Sequence, residues 1–287
     1  MNLCDVKTVK DIMAMFGLNF QKKFGQNFLV NRSVVEDIAD NCCDDADSTI
    51  LEIGPGIGTL TRELAQRYKN LVALEIDRGF IPVLGYTLGE FNNTAVINED
   101  VMKADLHAAL DKYMDGGVSV CANLPYYITT PILMMLLESG ISFDYITIMI
   151  QAEVADRLCA RAGKSDYGAI TAVLNYYGEA ERILDVPATD FVPAPKVNSA
   201  VVRIRLHKEK PYRPIDEKLF FRVIKASFEQ RRKTLLNGLS NGMSDFSKED
   251  IAKAIEACGH RPDIRGEKLS TAEFVELANK LHEIKNK

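Results

Sequence analysis

Residues 50 to 60, ILEIGPGIGTL, run an apolar stretch straight into three glycines, at 54, 56 and 58, and then into helix-forming residues. A strand that breaks into glycines and restarts as a helix commits a chain to few folds. Glycine lets the backbone turn sharply there and lets a ligand approach it closely. The residues downstream keep the same alternation. TLTRELAQRY reads as a helix and LVALEID as a strand; TAVINED, VSVCAN and YITIMIQ read as three more strands. Upstream, SVVEDIADNCC reads as a helix with Ser33 as its N-cap. Strands and helices in this order predict a parallel sheet covered by helices, an α/β fold.

FVPAPKVNSAVVRIRL, residues 191 to 206, reads as a loop entering a late strand. Composition shifts at HKEKPYRPID, residues 207 to 216. Beyond it EKLFFRVIKASFEQRRKTLLNGL, KEDIAKAIEACG and STAEFVELANKLHEI all read as helical. The expected organisation is an α/β domain over residues 1–206 and a small all-helical C-terminal domain over 207–287.

Several classes are disfavoured. The uncharged run at 116–137 contains two glycines, two prolines and an asparagine, so it reads as strand, loop and helix start rather than a membrane span. The first residues, MNLCDVKTVKDIM, are charged throughout and lack the apolar core of a secretory signal. The six cysteines form no CxxC pair and the four histidines no cluster, so reduced thiols, a cytoplasmic location and no metal are expected. Net charge is −5, but it is uneven. Residues 207–287 hold 17 Lys and Arg against 13 Asp and Glu, a balance of +4; the rest hold 18 against 27, a balance of −9. A mildly basic tail piece on an acidic body is compatible with RNA.

Three strand ends carry the candidate chemistry. The first ends in the glycine loop. The second ends in Glu75, placed to accept both hydroxyls of a ribose. The third ends in Asp100, placed to accept an adenine amino group. Together they outline an adenosine. No GxxxxGK[ST] is present, and no cationic partner for a pyrophosphate is evident. S-adenosylmethionine, with an adenosine, no phosphates and a positive sulfonium, suits an acidic pocket better than NAD does. The fourth strand runs into Asn123 and then LPYY. An exocyclic amine on a base is a poor nucleophile because its lone pair is delocalised. The Asn123 amide oxygen and a backbone carbonyl near Pro125 can accept its N–H bonds and free that pair, while Tyr126 stacks on the base. The role of Tyr127 is left open.

KKFGQNFLVN (22–31), LEIGPGIGTLT (51–61), LEID (74–77), EDVMKADL (99–106), NLPYYITTPIL (123–133), FVPAPKVNSAVV (191–202), FEQRRKTLLNGL (228–239) and RGEKLS (265–270) occur in this order. Together they resemble the KsgA family of small-subunit ribosomal RNA adenine dimethyltransferases along essentially the whole chain. The resemblance implies a Rossmann-like S-adenosylmethionine-dependent methyltransferase domain with a helical C-terminal domain. It implies transfer of two methyls to N6 of each of two adjacent adenines in 16S rRNA, in the small ribosomal subunit or its precursor. It implies cofactor contacts at Asn27, Leu29, Gly54, Glu75, Asp100 and Asn123. It also implies a methyltransferase motif of Asn123, Pro125 and Tyr126, with Phe191 as a second ring against the target base. Lys22 and Lys23, and the RRK of Arg231, Arg232 and Lys233 on a charged helix face, are the expected RNA contacts. The runner-up is an Erm-type enzyme acting on 23S rRNA. An NAD oxidoreductase offers no role for NLPY, and a non-catalytic assembly factor none for the intact acids.

Overall fold

The computed structural model describes residues 1–18, 27–114 and 116–286. Lys22 and Lys23 lie outside them. Among the described residues the strands are β1 (Phe28–Leu29), β2 (Thr49–Ile53), β3 (Asn70–Leu74), β4 (Thr94–Ile97), β5 (Val118–Asn123), β6 (Phe143–Gln151), β7 (Gly178–Val186), β8 (Phe191–Val192) and β9 (Ser199–Leu206). Seven form one sheet in the order β4-β3-β2-β5-β6-β9-β7. Strands β2 to β6 pair in parallel and β9 runs antiparallel to β6. All five residues of β2 are buried, as expected for a central parallel strand covered on both faces. β1 and β8 form a separate antiparallel ribbon with Leu29 opposite Phe191.

The helix expected from Ser33 begins earlier, at Arg32, with Asn31 as N-cap. Ser33 Oγ instead donates to Asn31 Oδ1 at 2.8 Å. The uncharged run at 116–137 divides into β5, a turn and the helix Thr129–Glu138. No helix among the described residues is long and apolar enough to cross a membrane.

The chain packs as two units, and the division differs from a single cut after residue 206. One unit is Met1–Ala155 with Glu181–Leu206; the other is Asp156–Ala180 together with the segment from His207 onward. The reason is hydrophobic. Tyr167, Ala172 and Tyr176 are buried in one apolar core with Phe220, Val223, Leu239 and Phe274. The helix Ala169–Tyr177 therefore belongs with the C-terminal helices, although it lies between strands in sequence.

A second correction concerns the basic segment. The expected helix through residue 239 breaks: Glu217–Glu229 ends, and Leu235–Gly242 begins under a fresh cap from the Thr234 side chain. Arg231, Arg232 and Lys233 sit in the break, not on a helix face.

The RGEKLS block has a packing role. A Cβ built on Gly266 would lie 2.9 Å from both the Cβ and the carbonyl oxygen of Ser227, on the Glu217–Glu229 helix. Gly266→Ala is predicted to destabilise the protein by about 1–3 kcal/mol through overpacking. Chemical denaturation of the intact chain reads this directly; a parent-like midpoint would show that the packing there yields freely.

Candidate active site

Ile53 of β2 stands opposite Leu74 of β3 and Ala122 of β5 in register. The next residues of the three strands, Gly54, Glu75 and Asn123, therefore emerge side by side. This is also where the strand order reverses, the position at which open α/β sheets bind ligands. A cavity opens there, and Asn27, Leu29, Gly54, Glu75, Asn123, Pro125 and Tyr126 line it.

Gly54 and Gly56 have φ of 73° and 58°, a left-handed conformation that only glycine adopts without strain. The Gly56 N–H donates to Glu75 Oε2 at 3.0 Å, and the Asp77 N–H donates to Oε1 at 2.7 Å. Both oxygens of Glu75 are thus fixed by backbone donors and keep further lone pairs for a ligand. Burial pushes the Glu75 carboxyl above its usual range, against the opposing pull of these N–H groups. A Cβ built on Gly54 would meet nothing within 4 Å, so the backbone there is bare toward the cavity.

Asn123 Nδ2 donates to the Asn27 carbonyl at 3.4 Å, and Oδ1 has no partner among the described residues. After it, the Leu124 N–H donates to the Met149 carbonyl at 3.2 Å and the Ile128 N–H to the Pro125 carbonyl at 3.1 Å. Tyr126 and Tyr127 hold the two central positions of that turn. The half-buried Tyr126 is anchored by its hydroxyl, 2.7 Å from Ser199 Oγ on β9.

The remaining expected residues are placed differently. Asp100 lies beyond the tip of β4 and is not among the described residues of the cavity wall. Ile97 stands opposite Leu74, so Asp100 is two residues past the neighbour of Glu75. Its Oδ1 accepts the Met102 N–H at 3.0 Å. Phe191 does not face the cavity either. It is 2% exposed and packs in the core with Leu29, Val34 and Val201, because β8 pairs with β1. Arg231 is occupied inside the helical unit: its Nη2 donates to the Ser165 and Tyr167 carbonyls at 2.6 and 3.0 Å and lies 3.7 Å from Glu267. Arg232 and Lys233 are exposed.

Sequence reasoning missed Glu52. It is the fourth of the five residues of β2, is 1% exposed, lines the cavity, and has one carboxyl oxygen, Oε2, without a hydrogen-bond partner among the described residues. Burial pushes it up to about 8, with the Glu75 charge adding to the shift and Thr61 opposing it. The signal was an acid among the isoleucines and leucine of ILEI. Ile76, exposed and lining the cavity next to Glu75, was missed as well. Among the described wall residues two are carboxylic acids and none is Lys or Arg. An unpartnered buried acid and a bare glycine backbone fit S-adenosylmethionine, which carries an ammonium, a sulfonium and no phosphate. The unpaired acid, with no Lys or Arg among the described wall residues, does not fit a pyrophosphate.

A family model described as Ribosomal RNA adenine dimethylase matches residues 17–282. Proteins named Ribosomal RNA small subunit methyltransferase A are similar along nearly the full length. The one from Geobacillus thermodenitrificans is 46% identical over 276 residues, covering 95% of this chain and 94% of its own. That from Bacillus mycoides is 46% identical over 277 residues with the same coverage. Among solved structures, the 23S rRNA methyltransferase ErmE aligns with a TM-score of 0.69 at 25% identity, over 89% of this chain and 100% of its own. A dimethyladenosine transferase from Plasmodium falciparum shares the fold, with a TM-score of 0.73 at 23% identity over 87% and 95%.

The buried acid gives a pH prediction for the ligand-free protein. A carboxyl whose folded pKa is raised from 4.5 to about 8 favours folding fully only below its unfolded value. That contribution is lost as pH rises toward 8. Glu52→Gln stays neutral, so its stability relative to the parent should grow across this window by roughly a few kcal/mol. Denaturation midpoints of both proteins at pH 5 and pH 8.5 test it; a constant difference would refute it.

Proposed function

This chain belongs to the ribosomal RNA adenine dimethylase family, and on that premise we propose that it methylates N6 of two adjacent adenines of 16S rRNA. The product is a pair of N6,N6-dimethyladenosines, made during ribosome biogenesis on the small subunit or its precursor. The observation that carries the reading is the segment Asn123–Tyr126, which leaves β5 in register beside a cavity whose described wall holds two Glu and no Lys or Arg. The small-subunit relatives match in sequence far better than ErmE does, which favours 16S over 23S rRNA.

Bound S-adenosylmethionine supplies an electrophilic methyl group on a sulfonium. The chain's own residues do the rest. Glu75 would accept the ribose hydroxyls and Asp100 the adenine amino group. Gly54, Asn27 and Leu29 would admit the cofactor closely, and Glu52 would offer its unpartnered oxygen to a cationic donor. Asn123 would present Oδ1 to an N–H of the target N6, since its amide nitrogen is already held by Asn27. The Pro125 carbonyl is used inside the turn, so the Leu124 carbonyl is the second acceptor. Two acceptors aimed at one amine localise its lone pair and favour the positive charge that develops on nitrogen. Tyr126 provides the ring on which a flipped base stacks, and the Ser199 bond keeps that ring from swinging away. The product nitrogen loses its proton to solvent. Phe191 would have to leave its buried position to act as a second ring, so the pair Tyr126 and Asn123 carries the site.

For RNA binding, Arg231, Arg232 and Lys233 are all exposed, but Arg231 is engaged by the Ser165 and Tyr167 carbonyls, so Arg232 and Lys233 are the candidates tested; Lys22 and Lys23 belong to the same proposal by family motif. Replacing Arg232 and Lys233 with alanine should lower the log–log salt slope of subunit binding by roughly 0.7–0.9 for each phosphate no longer neutralised. An unchanged slope would make them solvated surface only.

The direct test is incubation with labelled donor and unmethylated ribosomal subunits. Label is expected at two adjacent adenines of the small subunit and none on the large one; the reverse would install the Erm-type reading. In the same assay at saturating cofactor, Asn123→Ala should slow transfer roughly 10²–10³-fold. Glu75→Ala should instead weaken cofactor binding, by roughly 10- to 150-fold in calorimetry. Parent-like behaviour of either variant would remove that residue from the site.

A further inference from the structure

We infer that Tyr127 is a substrate-positioning residue whose ring stacks on the nucleotide next to the flipped adenine. The inference rests on the dimethyltransferase reading and extends it to a residue to which the sequence assigns no role.

Tyr127 is 66% exposed, the highest value among the large apolar side chains found exposed in the described residues. A ring two-thirds exposed contributes little packing to the fold, and its hydroxyl shows no hydrogen bond among the described residues. The backbone beneath it is nevertheless tightly held. Leu124 is bonded to Met149, and the Pro125 carbonyl accepts both the Ile128 N–H at 3.1 Å and Thr129 Oγ1 at 3.4 Å. The helix Thr129–Glu138 starts directly after. Tyr126 and Tyr127 are consecutive central residues of this turn and part company. Tyr126 goes inward to line the cavity and reach Ser199, while Tyr127 goes to solvent. A ring on rigid backbone loses little conformational freedom when something docks on it, which is the condition under which an exposed aromatic binds well.

The reaction supplies what docks. An adenine that flips onto Tyr126 leaves its neighbour with a bare face where a stacking partner used to be. The target is two adjacent adenines, so whichever one enters the cavity, a purine stands one nucleotide outside. A second ring, one residue along the chain from the first, is placed to cover that face. Base stacking on an aromatic side chain is sequence-tolerant and needs no hydroxyl.

The stack is present before and during transfer alike, so removing it should appear in KM and not in kcat. With unmethylated small subunits as substrate, Tyr127→Ala should raise KM roughly 5- to 150-fold, equivalent to about 1–3 kcal/mol of stacking, at unchanged kcat. Tyr127→Phe should restore the parent KM, and Tyr127→Leu should not. Cofactor affinity, measured by calorimetry, should be the same in all four proteins. The decisive arm uses subunits reconstituted with RNA that carries an abasic residue in place of one of the two adenines. There the stacking partner is gone, and parent and Tyr127→Ala should become equal. A parent-like KM for Tyr127→Ala on intact subunits overturns the inference, and so does an equal loss on intact and abasic subunits. If the parent itself leaves small subunits unlabelled, the functional reading fails instead.

Discussion

The molecule's chemistry depends on one crossover. The chain builds β2, moves outward to β3 and β4, and then returns to lay β5 against the other side of β2. Because both neighbours are parallel and in register with Ile53, the glycine loop, Glu75 and Asn123 leave the sheet in one row. No side chain needs to reach far. The separation of 69 positions between Gly54 and Asn123 is closed by ladder hydrogen bonds alone. Non-local pairing of this kind is slow to form. Once formed, it holds an amide, a carboxylate and a bare backbone together at the ends of rigid strands, as precise binding requires.

That row is costly to maintain. Two acids, Glu52 and Glu75, are almost fully buried within the same unit, and burial raises the pKa of each. Glu75 is compensated by two backbone N–H groups, one of them delivered by the left-handed turn at Gly56. Glu52 has no such provision for Oε2 among the described residues. A buried polar atom left unpaired weakens a fold unless a partner arrives. The glycine loop thus has two tasks: it bares the backbone to a ligand, and it supplies a donor that opposes the upward push of burial on the Glu75 carboxyl.

Much of the site is readable in the sequence because it follows the strand ends. Gly54, Glu75 and Asn123 sit one step beyond apolar runs, and a parallel sheet brings such steps together. Asp100 falls under the same rule and overshoots it by two residues, since β4 stops at Ile97. Other features depend on residues distant in sequence. Phe191 is drawn into the core by Leu29, a partner 162 positions away, and nothing local to FVPAP announces that. The break at Arg231 is set by the Thr234 cap and by the Leu235 N–H bonding to the Ile264 carbonyl. The helix Ala169–Tyr177 carries an apolar pattern that suits either unit, and only the core containing Phe220 and Phe274 decides between them.

The helical unit is assembled from two separate lengths of chain, Asp156–Ala180 and the segment from His207 onward, with β9 and most of β7 between them. It is an insertion and a terminus at once. A gene fragment ending at Leu206 would encode Tyr167 and Tyr176 without the helices that cover them, leaving aromatic surface in water. Recombination between relatives cannot exchange this unit at one junction either; it needs three, at the borders near 156, 181 and 207. The helical unit is thus tied into the sheet's unit by the chain path itself, at three crossing points rather than one linker.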